Sequence, residues 1–188
     1  DLGFEGDFDI LKVSMNSEIN KNWNVSAVNE NWVHLPKNRF HTVFANDIRE
    51  DAKIAWTNFF KKRGISTSTY YLDSIVDLVK LHKENGTPVF PENIDVVTGG
   101  FPCQDFSVAG KRQGFDSDKS HTGKQIVDVN APSVESRGQL YIWMREVVAI
   151  TQPKVFIAEN VKGLANLGDV KSIIEHDFST ISENGYIV

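Results

Sequence analysis

The chain has 188 residues, 40% of them hydrophobic and 24% charged, a mix typical of one globular domain rather than of a disordered chain. No apolar run approaches the roughly 20 residues that a membrane-spanning helix needs. The formal net charge of −5 argues against a free-standing nucleic-acid binder, which usually carries a basic face. The single cysteine excludes an internal disulfide bond and a multi-cysteine zinc site.

The two ends of the sequence have unusual features. The first residue is Asp1, and no signal-like segment follows it. The last four residues, Gly185 to Val188, have the pattern of a glycine helix stop followed by the first residues of a strand. We therefore expect this sequence to be a piece of a longer protein.

The segment 10–40 is rich in asparagine, which favours turns and caps over the interiors of helices and strands. This composition predicts mostly irregular structure, or an insertion, over these residues. Trp23 and Trp32 indicate that the segment still packs onto something.

Short apolar runs alternate with helical periodicities from residue 41 onward. The pattern predicts strands at 41–45, 70–72, 94–98 and 155–158, and helices at 52–63, 75–86, 139–150 and 170–181. Asp169 is a plausible N-cap for the last helix. The stretch 110–136 has few apolar residues and predicts a long loop, either a mobile functional loop or an ordinary solvated one.

This alternation predicts an α/β fold with an open, mostly parallel sheet, in which ligands bind at the carboxyl ends of the strands. Polar residues follow all four predicted strands: Asp47, Asp73, the run 99–104 and the run 159–161. Each has an ordinary alternative, since such an aspartate is often a helix cap, a lone cysteine is often buried, and a glutamate is often just solvated. Four such positions at successive strand ends are harder to dismiss than any one of them.

Cys103 has the local setting of a nucleophile. Gly99 and Gly100 permit a tight turn with close backbone approach to a ligand, and Pro102 stiffens the chain before the thiol. Backbone N–H groups beyond the turn could stabilise a thiolate. The five histidines are scattered, so a Cys-His hydrolase has little support.

At this point the sequence resembles the DNA (cytosine-5) methyltransferases. The run Phe101-Pro102-Cys103-Gln104, with Ser107 beyond it, resembles the nucleophile motif of that family. Glu159-Asn160-Val161 resembles its second catalytic motif, and the segment 137–140 is similar to the one between them, whose leucine lies against the cofactor. Asn46-Asp47-Ile48 and Asp73-Ser74 resemble the segments that meet the ribose and the adenine of the cofactor.

The resemblance implies a Rossmann-like, S-adenosylmethionine-dependent methyltransferase fold and assigns a role to each motif residue. The catalytic residues would be Pro102, Cys103, Gln104, Glu159, Asn160 and Val161. The cofactor-binding residues would be Asp47, Ile48, Asp73, Ser74, Phe101, Pro102 and Leu140. The residues that meet DNA would be Gln104, Ser107 and Glu159, and no metal is expected.

The domain implied by the resemblance is an incomplete one. Residues 1–188 would form part of a catalytic and cofactor-binding domain, with 10–40 as an insertion and 110–136 as a mobile catalytic loop. The glycine-rich turn that opens the family and its target recognition domain are not in this sequence. The first five residues resemble the helix that follows that turn.

The implied reaction is methyl transfer to C5 of a cytosine flipped out of duplex DNA. The Cys103 thiolate would add to C6, Glu159 would hold and protonate N3, and Asn160 would orient the site. The expected setting is a bacterial restriction-modification system with a cognate endonuclease, in the cytoplasm or at the nucleoid. Two alternatives stay open: a cytosine-5 methyltransferase of tRNA, and a non-catalytic fragment or partner subunit.

Overall fold

A computed structural model describes residues 2–16, 18–19, 21, 23–84, 86–102, 120, 124, 136, 139–183 and 185–188. The helices are α1 (Leu2–Glu5), α2 (Glu50–Lys61), α3 (Ile75–Glu84), α4 (Leu140–Thr151) and α5 (Val170–Ser179). The strands are β1 (Gly6–Leu11), β2 (Ser26–Ala27), β3 (Trp32–Lys37), β4 (Ala45–Asn46), β5 (Tyr70–Tyr71), β6 (Val96–Gly99) and β7 (Val155–Ala158). None of the helices in these ranges is both long and apolar enough to cross a membrane.

Two parallel strand pairs carry the α/β part of the fold. β4 pairs with β5, and β6 pairs with β7 in a register that runs from Val96 opposite Val155 to Gly99 opposite Ala158. A helix lies between the two strands of each pair in the chain, α2 in the first and α4 in the second. The predicted α/β class with parallel pairing is therefore confirmed.

The core lies around α4, whose buried side chains recur at helical spacing. Trp143, Met144, Val147 and Val148 are all buried, Val148 completely. α4 packs against α3 and α5, and Phe156 of β7 stacks on Phe178 of α5 with ring centroids 4.8 Å apart. The apolar periodicity of this helix thus supplies the surface on which the second strand pair rests.

A polar clamp joins α4 to α5 at the edge of this core. The Tyr141 hydroxyl donates to the Asp177 carboxylate at 2.8 Å, and the Arg145 Nε donates to the Asp177 carbonyl oxygen at 3.0 Å. Burial, with the Asp177 hydrogen bond and charge, raises the pKa of Tyr141 above its usual value. The folded protein therefore holds the phenolic proton more tightly than the unfolded chain does.

We predict that Tyr141→Phe lowers the free energy of unfolding by about 1 kcal/mol near pH 7, because one hydrogen bond is lost. The contribution of the raised Tyr141 pKa is complete below the unfolded-state pKa of about 10 and is lost as pH rises through the folded-state value. The variant should therefore lose less stability than wild type between about pH 9 and 11. Urea unfolding across this range measures how the free energy of unfolding changes with pH in the variant and in wild type. Equal changes in the two proteins would contradict the prediction.

Residues 6–37 contain a three-stranded antiparallel sheet of strand order β1-β3-β2, which the sequence did not predict, although most of the described residues of 10–40 are irregular or in turns, as predicted. The asparagines build its turns rather than breaking its strands. Asn29 Oδ1 accepts from the backbone N–H groups of Asn31 and Trp32, at 2.9 and 3.0 Å, just before β3. Asn16 Oδ1 accepts from Glu18 and Ile19 in the same way, as turn-forming asparagines do. That the segment is an insertion stays a prediction.

The base of this antiparallel sheet is tied to the α/β part by Glu5 and Arg63. The buried Glu5 accepts from the Thr42 N–H at 2.8 Å through its side chain and from the Asn38 N–H at 2.7 Å through its carbonyl oxygen. Arg63 donates to the Gly6 carbonyl oxygen at 2.8 Å and pairs with Asp7 at 3.4 Å. Gly6, the first residue of β1, has φ +69°, and an added Cβ there would lie 2.2 Å from the Pro36 carbonyl oxygen. This position therefore requires glycine.

Several predicted boundaries are wrong by a few residues, for local reasons. Of the strand predicted at 41–45 only residue 45 lies in a ladder, because the N–H of Thr42 binds Glu5 instead. The strand predicted at 94–98 begins at Val96, after a turn in which Asn93 has φ +57°. The loop predicted at 110–136 lies outside the described residues except for 120, 124 and 136.

Of two predictions about the ends of the last helix, one is confirmed and one is wrong. Asp169 occupies the predicted N-cap position of α5, although its side chain makes no capping bond. α5 ends at Ser179, six residues before the predicted glycine stop at Gly185. No strand is present in 185–188; instead the Tyr186 N–H binds the Ser179 carbonyl oxygen at 3.3 Å and its hydroxyl binds the Pro153 carbonyl oxygen at 2.7 Å.

Candidate active site

The first strand pair is closed at its carboxyl end by the side chain of Asn46. Its Nδ2 donates to the carbonyl oxygens of Tyr71, at 3.1 Å, and Asp73, at 2.7 Å. The backbone ladder continues one step further, from the Asp47 N–H to the Tyr71 carbonyl oxygen at 3.3 Å. This bonding brings the segments that carry Asp47 and Asp73 to one edge of the sheet.

Asp47 is half-buried, and one of its carboxylate oxygens accepts from the N–H of Arg49 at 2.9 Å, just before α2. This bond closes a turn before the helix and does not cap it, since the N-cap of α2 is Arg49. The charge of Asp47 also acts on Tyr70 of the neighbouring strand β5. Burial, together with the negative charges of Asp47 and Asp51, raises the pKa of Tyr70.

The other predicted cofactor residues at this edge of the sheet differ from Asp47 in their burial. Ser74 is buried, and its hydroxyl accepts from the N–H of Val76 at 3.3 Å at the start of α3. Asp73 is exposed, and Ile48 is 53% exposed. That these three side chains contact a cofactor stays a prediction.

The second strand pair brings the two predicted catalytic segments side by side. The Glu159 N–H donates to the Gly99 carbonyl oxygen at 2.9 Å, which extends the β6–β7 ladder beyond the strands. One residue further, the Asn160 Nδ2 donates to the carbonyl oxygen of Phe101 at 3.0 Å. The Asn160 Oδ1 accepts from the Val161 N–H at 2.8 Å.

Gly99 and Gly100 allow two close approaches within the protein, and that their backbone also comes close to a ligand stays a prediction. A Cβ at Gly99 would lie 2.9 Å from the sulfur of Met144 in α4. A Cβ at Gly100 would lie 3.3 Å from the Oε2 of Glu159. Gly99 therefore lets the strand end sit against α4, while Gly100 leaves room for the carboxylate across the ladder.

A cleft of about 740 Å³ opens between the two strand pairs, within the size range of small-molecule sites. It is lined by Asp47 from the first pair, by Gly99 to Pro102 from the second, and by Leu140 at the start of α4. Glu159 and Asn160 are not among its lining residues but are hydrogen-bonded to the 99–101 segment, which does line it. The segment leading to Cys103 thus contacts both the cleft and the strand end that carries Glu159.

The sequence motifs identify only part of this cleft. Asp47, Phe101, Pro102 and Leu140 were predicted as cofactor residues and line it. Its other walls include side chains that no motif singled out: Glu5, Trp56, Tyr70, Phe90 and Met144. The helical and strand patterns marked most of these as core positions, and nothing in sequence spacing tells a core face from a cleft wall. Cys103, Gln104 and Ser107 lie outside the described residues.

Among the described residues no group of three or more histidine, cysteine, aspartate or glutamate side chains could hold a metal ion.

An α/β chain with parallel strand pairs, helical crossovers and a cleft at their carboxyl ends has the architecture of a Rossmann-like methyltransferase fold. A family model of C-5 cytosine-specific DNA methylases matches residues 31–188. The chain belongs to this family, and its fold is the S-adenosylmethionine-dependent methyltransferase fold.

Three relatives are similar to parts of the chain. Type II methyltransferase M.Sau96I of Staphylococcus aureus is 39% identical over 82 residues, which are 44% of this chain and 15% of the relative. M.HpaII of Haemophilus parainfluenzae is 41% identical over 76 residues, 40% of this chain and 16% of the relative. M.Bsp6I of Bacillus sp. (strain RFL6) is 30% identical over 149 residues, 78% of this chain and 36% of the relative. The matched regions thus span between 15% and 36% of the length of these three proteins.

We predict that Asn46→Asp destabilises the first strand pair, because the aspartate has no donor for the Tyr71 and Asp73 carbonyl oxygens. The loss of two bonds should lower the free energy of unfolding by about 2 kcal/mol. Asn29→Asp is the matched control, since Asn29 acts through its side-chain oxygen, which an aspartate keeps. Thermal and urea unfolding measure both variants, and equal stability of the two would contradict this role of Asn46.

Proposed function

We propose that the full protein transfers a methyl group from S-adenosylmethionine to C5 of a cytosine in DNA. The observation that carries the proposal is that the segment from Gly99 to Pro102 lines the cleft and is hydrogen-bonded to Glu159 and Asn160. A nucleophile that directly follows this segment would lie near both a bound cofactor and an acid. That arrangement matches the needs of the reaction, in which thiol, methyl donor and proton donor meet one base.

The cleft fits S-adenosylmethionine in size and in the chemistry of its walls. Asp47 has one carboxylate oxygen engaged by Arg49 and lines the cleft, so its other oxygen could accept from ribose hydroxyls. Phe101 and Leu140 would give apolar contact beside it. When bound, the cofactor supplies an electrophilic methyl group. Asp73, Ser74, Ile48 and Pro102 complete the proposed cofactor set.

The proposed role of Cys103 is to make C5 nucleophilic. Its thiolate adds to C6, the electron pair of the C5–C6 double bond moves toward C5, and N3 takes a proton from Glu159. When C5 takes the methyl group, the sulfonium of the donor leaves as a neutral thioether. A base then removes the C5 proton, the thiolate leaves C6, and N3 returns its proton to Glu159, which restores the aromatic ring. Because C5 and C6 cannot be reached inside a duplex, the cytosine has to be flipped out.

Three further residues complete the proposed site. Gln104 and Ser107 would contact the DNA around the flipped base together with Glu159, and Val161 would support the catalytic strand end. The names of the relatives, Type II methyltransferases, support a role in a restriction-modification system with a cognate endonuclease. The residues of 110–136 would close over the base.

We predict that the full-length protein forms a covalent adduct with duplex DNA that contains 5-fluorocytosine, because fluorine at C5 blocks the release of the thiolate. Cys103→Ser should form no adduct. Glu159→Gln, which keeps the shape of the side chain and loses the acid, should slow methyl transfer by about 10²- to 10⁴-fold. Denaturing electrophoresis and methyl-transfer assays measure these effects.

The same assay on tRNA substrates tests the RNA alternative. Methylation of tRNA without methylation of DNA would replace the proposed substrate. An adduct that persists in Cys103→Ser would overturn the proposed nucleophile, and no adduct with either nucleic acid would favour a non-catalytic subunit.

A further inference from the structure

The imidazole of His82 holds the segment that leads from α3 into β6. We propose that His82 is a positioning residue that fixes the Phe90 side chain as a wall of the cleft between the two strand pairs. This inference rests on the proposed function, because it takes that cleft as the site of S-adenosylmethionine.

The backbone of Val89 and Phe90 needs a hydrogen-bond acceptor from outside its own segment. Both residues are buried, yet they lie in neither a helix nor a strand, so no ladder receives their N–H groups. The Nδ1 atom of His82 accepts from both, at 3.2 Å from the Val89 nitrogen and 3.5 Å from the Phe90 nitrogen. The preceding residues 86–88 are exposed, so the chain re-enters the core where the imidazole binds it.

His82 reaches this segment because of its position on α3. Val76 and Val79 are buried on one face of the helix, and His82 follows Val79 by three residues on the same face. The imidazole ring also lies against the ring of Phe90, with the two centroids 5.4 Å apart. A nitrogen that accepts a hydrogen bond carries no proton, so the acceptor role of Nδ1 places the ring proton on Nε2.

Phe90 connects the two strand pairs of the fold. It lies on the segment that enters β6, and its ring packs on that of Phe44, directly before β4, with centroids 5.2 Å apart. The ring of Phe44 in turn stacks on that of Tyr71 in β5 at 4.9 Å. Phe44 and Phe90 both line the cleft. The position of Phe90 therefore helps to set the width of the cleft between the first pair and the second.

Loss of the acceptor at His82 would leave two buried N–H groups without their partner, which is costly. The segment would then open locally, and the Phe90 ring would no longer form a fixed wall. A ligand that needs the closed wall has to order it on binding. Its affinity therefore falls, while the folded fraction of the protein can stay the same.

The test compares His82→Leu with His82→Asn in the full-length protein. Leucine is apolar and has no acceptor, whereas the asparagine Oδ1 can take the place of Nδ1. In His82→Leu we expect the amides of Val89 and Phe90 to exchange with solvent about 10-fold faster in the absence of cofactor, as measured by hydrogen exchange and mass spectrometry. We also expect the dissociation constant for S-adenosylmethionine, measured by titration calorimetry, to rise about 10-fold. His82→Asn should restore both values to near wild type.

His176→Leu is the matched control, because it makes the same change in the last turn of another helix, α5, where the histidine is exposed. It should exchange and bind like wild type. The calorimetric stoichiometry separates a looser cleft from a smaller folded fraction, since unfolded molecules lower the stoichiometry and leave the dissociation constant of the rest unchanged. If His82→Leu has no folded fraction, His82→Gln, whose acceptor lies one bond further out, takes its place in both measurements.

The outcomes separate the two proposals. Wild-type exchange or a wild-type dissociation constant in His82→Leu would overturn the positioning role and leave the methyltransferase proposal intact, and so would a His82→Asn variant as weak as His82→Leu. Failure of the wild-type protein to bind S-adenosylmethionine would overturn the proposed function, and with it the role of His82 in binding the cofactor.

Discussion

The parallel ladder between β6 and β7 is the constraint on which the site depends. Its hydrogen bonds run from Val96 opposite Val155 to Gly99 opposite Ala158 and continue through the Glu159 N–H to the Gly99 carbonyl oxygen. Because parallel strands end at the same edge of a sheet, the residues that follow each strand must leave it together. The closeness of the two predicted catalytic segments therefore follows from strand register, and the Asn160 amide adds one bond where the ladder ends.

Much of this arrangement could be predicted from the sequence, because strand ends in an α/β fold are marked by a change from apolar to polar residues. Val155 to Ala158 form a strand where the pattern predicts one, and Glu159 leaves it at the predicted edge. The roles of particular atoms could not be predicted. The Phe101 carbonyl oxygen has no sequence signal, since any residue supplies one, and its partner depends on how two distant segments lie in three dimensions.

The antiparallel sheet shows a different limit of sequence reasoning. Asparagine does favour turns, but a turn is equally part of a β-sheet, and composition does not show whether strands lie on either side. Asn16 and Asn29 form such turns. The strands β1 and β3 of the same sheet pair over five positions. The family match begins at residue 31, so β1 and β2 lie outside it while β3 and the α/β part lie inside. A sheet joined to the rest through Glu5 and Arg63 could be added to a fold without displacing its core, because both contacts lie at its base.

The positions of the carboxylates in the fold help to interpret the negative net charge of the chain. Among the described residues the cleft is lined by four of them, on Glu5, Asp47, Glu92 and Asp95, the last paired with Lys154, against a single arginine, Arg39. An acidic cleft attracts cations and repels phosphates. Such a wall suits a sulfonium cofactor and keeps a nucleic-acid backbone out of the space where that cofactor would bind. The net charge of −5 therefore does not weigh against the proposed reaction, because several of the acidic residues lie around the proposed cofactor space.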